Sequence, residues 1–132
     1  MWREDGAGEI YTYIPQTEAN IAAQLAVPGT VDNQGFGYSV GRGAYYFPTG
    51  EWVTVAQRVR LNTLNNMDGL IDLWVDGVET IKLRDITLLE AANSTIRGSH
   101  YQTFFGGSTI EWASPKTQKA WIADVSGAII KA

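Results

Sequence analysis

The sequence contains no cysteine and only one histidine, His100. Without cysteine there can be no disulfide scaffold, no cysteine-ligated metal cluster and no thiol nucleophile. A single histidine excludes a multi-histidine metal site within one chain, and any Ser-His-Asp triad would have to use His100. The aspartates do not follow the spacing of a calcium-binding loop. The sequence therefore predicts neither a metal nor a cofactor.

The chain also lacks long apolar runs and an excess of basic residues. No window approaches the roughly 18 apolar residues that a membrane span needs. A net charge of -4 and a pI near 4.8 disfavour binding to nucleic acid or to anionic lipid. Hydrophobic residues make up 45% of the 132 residues, which is enough to bury a core. We therefore predict one globular domain over residues 1–132, with no nucleic-acid partner and no membrane partner.

Alternating, β-prone residues dominate the chain. The strongest signal is at residues 70–81, where Asp76-Gly77 separates two β-prone runs and predicts a hairpin turn. The other predicted strands are at residues 9–14, 41–47, 52–62, 99–105 and 119–130. A short helical turn is predicted over 19–25, inside a long loop. Antiparallel strands with spaced turn signals favour an all-β, antiparallel β-sandwich or jelly roll.

Arg3 and the alternate tyrosines Tyr11 and Tyr13 are the first candidates for chemistry. The two tyrosines share a strand face with Glu9 and could present two phenols to one ligand. A phenol can donate a proton, or accept one where nearby cations lower its pKa. Arg3 could supply such a cation or bind a carboxylate. The alternative is ordinary cross-strand packing, because tyrosine is common in strands.

His100, Gln102 and Arg42 are candidates for binding a ligand. His100 and Gln102 share one face of a predicted strand, and histidine suits proton transfer near neutral pH. A surface histidine without a partner is the alternative. Arg42 is flanked by glycines, which allow close strand approach and could leave the arginine free to reach into a groove.

The strand at 52–62 carries two alternating faces. Val55 and Val59 are predicted to face the core, and Arg58 and Arg60 face the other way. The two arginines could form a positive strip for substrate, or simply belong to a solvated sheet face. Two curved sheets form one groove, and a groove lined with tyrosine, tryptophan and arginine suits an acidic sugar polymer.

Several blocks of sequence, taken in order, resemble the polysaccharide lyase family 14 domain, and its fungal members most. The most specific are the block at 52–63 and the TFFGGS block at 103–108. The blocks run along nearly the whole chain: MWREDGAGEIYTY at 1–13, GEWVTV at 50–55, RVRLNT at 58–63, the Asp-Gly pairs at 68–69 and 76–77, QTFFGGS at 102–108 and WA at 112–113.

This resemblance implies a concanavalin-like jelly roll and β-elimination on a uronate polymer such as alginate or glucuronan. It implies that Arg3 neutralises or binds the substrate carboxylate, and that Tyr11 and Tyr13 supply an acid or a base. It also implies a secreted protein whose partner is an acidic polysaccharide. The alternatives are a non-catalytic carbohydrate-binding module or lectin of the same fold, and an inactive truncated homologue.

The blocks correspond to the C-terminal portion of the family domain. The family's catalytic lysine, on a strand before the tryptophan–arginine motif, has no counterpart here. Met1 stands where active members carry a serine. We therefore expect N-terminal strands to be missing, and sheet edges and apolar faces to be exposed. A second copy or a preceding segment would then complete the sheet.

Overall fold

The computed structural model describes residues 1–130, which fall into two compact units, Met1–Ile96 and residues 97–130. All the strands belong to the first unit. Its elements are a 3-10 turn at Glu4–Gly6, β1 at Ala7–Thr12, α1 at Glu18–Leu25, β2 at Val31–Asp32, β3 at Tyr38–Tyr46, β4 at Val55–Arg60, β5 at Gly69–Val75 and β6 at Val78–Ile86.

The strands form two antiparallel sheets of three strands each. In the first sheet β3 lies between β1 and β2, and in the second β5 lies between β4 and β6. The predicted all-β, antiparallel sandwich is confirmed. The strand predicted at 9–14 forms as β1, but it starts two residues earlier, at Ala7, and ends two residues earlier, at Thr12. It ends there because Pro15 and the helix that follows turn the chain away from β3.

The hairpin predicted at 70–81 forms between β5 and β6. Val75 pairs with Val78, and both turn residues, Asp76 at φ 48° and Gly77 at φ 79°, lie in the left-handed region. This is the conformation for which an Asp-Gly pair is favoured.

The core lies between the two sheets. The first sheet contributes Ile10, Tyr38, Val40 and Tyr45, and the second contributes Ile71, Leu73, Ile81, Leu83 and Ile86. These residues lie on one face of each strand, so the opposite face of each sheet points away from the core.

The helix α1 covers one end of this core and confirms the helical turn predicted at 19–25. Thr17 caps it by accepting a hydrogen bond from the Asn20 amide at 3.1 Å. The buried side chain of Asn20 joins the helix to the segment after β6, through the Thr87 amide at 2.8 Å and the Thr87 carbonyl at 2.8 Å. The Gln24 side chain accepts a hydrogen bond from Thr12 at 2.5 Å, which fixes the helix to the end of β1.

One predicted core face is not covered. The side chains of Val55 and Val59, expected to face the core, are 45% and 40% exposed within the described residues. Both lie on β4, an edge strand of the second sheet, and their exposure shows that no facing strand buries them. Alternation set the direction of these side chains, but only a facing strand can bury them.

The second unit contains a 3-10 turn at Ile110–Trp112 and, over the described residues 97–130, no strand. The strands predicted at 99–105 and 119–130 are therefore wrong. A β-prone sequence becomes a strand only when a neighbouring strand accepts its backbone hydrogen bonds, and none does so here. Among residues 1–130, no helix is long and apolar enough to cross a bilayer.

Candidate functional site

A buried carboxylate lies at the centre of the outer face of the first sheet. Glu9, on β1, is only 1% exposed. Its Oε1 accepts hydrogen bonds from Arg3 Nε at 2.8 Å and from Ser39 Oγ at 3.0 Å, and its Oε2 accepts one from Arg42 Nε at 2.9 Å. One carboxylate therefore binds two guanidinium groups that come from different parts of the chain.

A tight turn brings Arg3 to Glu9. The Arg3 amide donates to the Ala7 carbonyl at 2.7 Å, and the Gly6 amide donates to the Arg3 carbonyl at 3.1 Å. Trp2 then forms an antiparallel bridge with Gly8. The segment before β1 is thereby folded back along the strand, so that an arginine six residues away in sequence contacts the glutamate.

An irregularity in β3 brings Arg42 to the same carboxylate. Ile10 pairs with Val40 and Gly8 pairs with Tyr45, so the four residues 41–44 lie opposite Glu9 alone. In a regular strand Arg42 would point to the core side with Val40. Gly41 adopts φ 66°, which interrupts the alternation and turns Arg42 outward.

Ser39 links the two arginines. Its hydroxyl oxygen accepts hydrogen bonds from Arg42 Nη2 at 2.7 Å and from Arg3 Nη2 at 3.1 Å. Asn33 Nδ2, from the segment after β2, reaches the same oxygen at 3.2 Å. The cluster thus connects β1, β3 and the segment that follows β2, and the two arginine side chains remain 33% exposed.

The pKa of Glu9 reflects these contacts. Burial by itself would raise that pKa, because it disfavours the charged form. The hydrogen bonds from Arg3 and Arg42 outweigh burial and, with Ser39, hold the pKa of Glu9 below its ordinary value. Glu9 is therefore an anion at neutral pH, and with two arginines the cluster carries a net charge of +1.

The two tyrosines lie beside this cluster on the same face. The Tyr11 and Tyr13 rings are 5.2 Å apart, and the Arg3 guanidinium lies 5.3 Å from the centre of the Tyr11 ring. The Tyr11 hydroxyl donates to the Phe36 carbonyl. Tyr13 is 77% exposed. The predicted set Arg3, Tyr11 and Tyr13 is thus brought together.

The pKa of Tyr11 is raised above its ordinary value. Partial burial is the largest cause, followed by the neighbouring Tyr13 phenol, and the two outweigh the opposing effect of the Arg3 cation. At neutral pH the Tyr11 phenol is therefore protonated and can give its proton to a ligand.

Arg58 and Arg60 are not part of this cluster. They lie on β4, on the face of the second sheet that points away from the core. Arg58 Nε donates to the buried Asp72 at 2.8 Å, and Arg60 Nη2 donates to the Asp68 carbonyl at 2.6 Å. Both are engaged with their own sheet, on the opposite side of the sandwich from Arg3.

His100 and Gln102 belong to the second unit. Both are exposed, and the strand expected to align them on one face does not form. The alignment predicted for His100 and Gln102 is therefore wrong. Arg42 is part of the Arg3 cluster, but as a partner of Glu9 rather than as the free side chain that its flanking glycines suggested.

Sequence reasoning did not select Glu9, Ser39 or Asn33 as site residues. Glu9 could have been found from its position two residues before Tyr11, because strand alternation puts both side chains on one face. No local pattern identifies Ser39 or Asn33, whose roles depend on strand pairing.

Comparisons with known proteins identify the family of this chain. The family model Polysaccharide lyase 14 matches residues 1–125. No curated protein matches significantly. A solved structure, the crystal structure of the marine PL-14 alginate lyase from Aplysia kurodai, is similar with 29% sequence identity and a TM-score of 0.70. The match covers 86% of this chain and 44% of that one, so this chain spans less than half the length of its relative. The chain belongs to the polysaccharide lyase 14 family.

Proposed function

We propose that this domain cleaves a uronate polysaccharide, such as alginate or glucuronan, by β-elimination. The observation that carries the proposal is the cluster on the first sheet, where two arginines and Glu9, with a net charge of +1, lie beside two tyrosines. A uronate residue presents one carboxylate next to an acidic C–H bond and a glycosidic leaving group. The similarity to an alginate lyase supports the same chemistry.

Arg3 and Arg42 would bind the carboxylate attached to C5. Guanidinium groups pair strongly with carboxylates, and neutralising that charge stabilises the electron density that develops when the C5 proton leaves. A base removes the C5 proton, and the electron pair of that C–H bond forms the C4–C5 double bond. The C4–O bond breaks, and an acid protonates the departing glycosidic oxygen.

Tyr11 is the better candidate for the acid. Its phenol carries a raised pKa and already donates a hydrogen bond, so the proton is present at neutral pH. Tyr13, adjacent and 77% exposed, is the candidate for the base. In this role Tyr13 would act as its phenolate and accept the C5 proton, while the Tyr11 phenol gives its proton to the glycosidic oxygen and becomes the phenolate. Return of a proton from Tyr13 to Tyr11, whose rings lie 5.2 Å apart, would restore the site for the next turnover.

The test is the ultraviolet absorbance of the unsaturated uronate product on alginate, polyguluronate and glucuronan. Wild type should form product on at least one polymer, and the Y11F and Y13F variants should lose turnover while they still bind the polymer. Absence of product on all three polymers would refute the lyase function. Because the substrate is a large extracellular polymer, we also propose that the protein acts outside the cell.

A second candidate is a carbohydrate-binding domain without catalysis. The family resemblance implies a catalytic lysine that this sequence does not contain. The single lysine within Met1–Ile96 is Lys82, which pairs with Glu79 at 2.6 Å on the second sheet and does not belong to the arginine cluster. This favours the second candidate. Under this alternative, wild type and Y13F would bind uronate oligomers with nearly equal affinity, and neither would form product. A protein that neither binds nor cleaves would correspond to an inactive homologue.

A further inference from the structure

We infer that Glu9 is a positioning residue, which holds Arg3 and Arg42 together as one receptor for a single uronate carboxylate. The inference rests on the proposed function and adds a residue that does not itself touch the substrate. Glu9 is 1% exposed and lies beneath both arginines, so a ligand reaches the guanidinium groups and not the carboxylate.

The hydrogen bonds fix the orientation of both guanidinium groups. Arg3 uses Nε and Nη2 on Glu9 and Ser39, and Arg42 uses the same two nitrogens on the same two partners. A guanidinium has five N–H donors, so each arginine keeps donors for a ligand. Holding these donors in place before binding avoids the entropy cost of ordering two long side chains.

Glu9 also sets the charge of the receptor. Two arginines alone would carry +2 and repel each other, whereas Glu9 reduces the summed charge of these three side chains to +1, which one carboxylate neutralises. The charged and titratable groups that face Glu9 are Arg3, Arg42, Tyr45 and the Met1 amino group. Tyr11 is faced by Tyr13, Arg3 and Glu9.

A carboxylate bound by two arginines need not serve a ligand, because it can be purely structural. The same chain supplies the matched control. Asp72, on β5, is fully buried and lies 2.8 Å from both Arg58 Nε and Arg84 Nη2. It is equally buried and also lies between two arginines, accepting hydrogen bonds from Arg58 and forming an ion pair with Arg84, but on the outer face of the other sheet.

The experiment measures kcat and KM over a range of pH for wild type, E9Q, E9D and D72N on the polymer that wild type cleaves. E9Q should raise KM and lower kcat, with a loss in kcat/KM of about tenfold or more. The alkaline limb of its pH profile, which we assign to ionisation of Tyr11, should move to lower pH. Burial and Tyr13 raise the pKa of Tyr11 most, and the negative charge of Glu9, which adds to them, is gone in E9Q. E9D keeps the charge but has a shorter reach, so it should lose kcat/KM while that limb stays in place.

D72N should unfold more easily than wild type, yet keep kcat/KM within about twofold and leave the pH limb unmoved. A folded E9Q protein with the kinetics and pH profile of wild type, or with those of D72N, would overturn the inference. If wild type neither cleaves nor binds any of the polymers, the proposed function fails, and a second measurement decides the role of Glu9 independently.

That measurement is NMR of wild-type protein labelled with ¹⁵N-arginine, with the Arg3 and Arg42 Nε–H resonances assigned through R3K and R42K. Both should exchange slowly with water at neutral pH and should shift together as acid protonates Glu9. If both resonances exchange rapidly and their chemical shifts do not change as Glu9 is protonated, Glu9 does not hold the two arginines together, whether or not the protein is active.

Discussion

Replacing Gly41 with alanine should test the feature that turns Arg42 toward Glu9. Gly41 has φ 66°, and a Cβ built there would lie 2.9 Å from Ile81 Cδ1 and 3.0 Å from Ile81 Cγ1. Ile81 is 1% exposed and belongs to the core of the second sheet. The substitution therefore has two costs, one in the backbone of β3 and one between the sheets.

The size of the effect follows from these two costs. A residue other than glycine in the left-handed region loses about 1–2 kcal/mol. Adding a methyl group against a packed core costs a further 1–3 kcal/mol, roughly, because neighbouring side chains must leave their preferred rotamers. We expect G41A to lower the free energy of unfolding by about 2–5 kcal/mol.

Gly77 provides the control for the backbone cost. It adopts φ 79° in the β5–β6 turn, and a Cβ built there would meet no atom within 4 Å. G77A should therefore lose only about 1–2 kcal/mol. Urea unfolding at equilibrium gives both values, provided that the slopes with denaturant agree. If G41A and G77A lose the same free energy, the reasoning about contact between Gly41 and Ile81 is wrong.

The two variants should also differ in function. If alanine at position 41 relaxes β3 toward regular alternation, the outward direction of Arg42 is lost and its bond to Glu9 weakens. Product formation by G41A should then fall while G77A retains the wild-type rate. An unchanged rate in a folded G41A protein would show that Gly41 does not direct Arg42.

Three further predictions concern other parts of the first unit. Stability should fall as acid titrates Glu9: its pKa is depressed in the folded protein, so its contribution is complete above the ordinary value of 4.5 and is lost as pH falls through the lower folded value. The difference in unfolding free energy between wild type and E9Q should shrink over that interval, and a pH-independent difference would contradict the assignment. For Tyr11, whose raised pKa keeps it protonated, turnover should persist up to the ordinary tyrosine pKa of 10.0 and fall only above it, and an ultraviolet titration of Y11F should lack the phenol that ionises in that range. Asn62 is 4% exposed and hydrogen-bonds to two backbone amides and three carbonyl oxygens. N62A should therefore cost about 2–4 kcal/mol of stability, measured by urea unfolding. It should leave uronate affinity, measured by binding calorimetry, unchanged.

Local sequence predicted those parts of the fold and site that depend on neighbouring residues. The hairpin at Asp76-Gly77 forms as predicted because the turn conformation is a property of those residues themselves. The pairing of Tyr11 with Tyr13 on one face follows from the two-residue period of a strand, and Arg3 lies close to them.

Prediction from sequence failed where strand formation or side-chain burial depends on another strand, or where a break in alternation sets the direction of a side chain. The strand expected at 99–105 does not form, because alternation cannot supply the neighbouring strand that would satisfy its backbone. Val55 and Val59 have the expected direction, yet nothing in the facing sheet covers them. Arg58 has the expected direction too, but the face to which it belongs lies on the other side of the sandwich from Arg3.

The amino-acid sequence by itself thus determined an antiparallel β protein with a defined hairpin and a pair of phenols on one strand face, and it identified Arg3 as a candidate cation. Only the tertiary structure decided which charges meet. It buried Glu9 beneath Arg3 and Arg42, because a turn returns Arg3 along β1 and the left-handed Gly41 reverses the side on which Arg42 emerges. The physical reason is that the period of a strand is local, whereas the meeting of two arginines on one carboxylate depends on strand register and on the bulge that interrupts it.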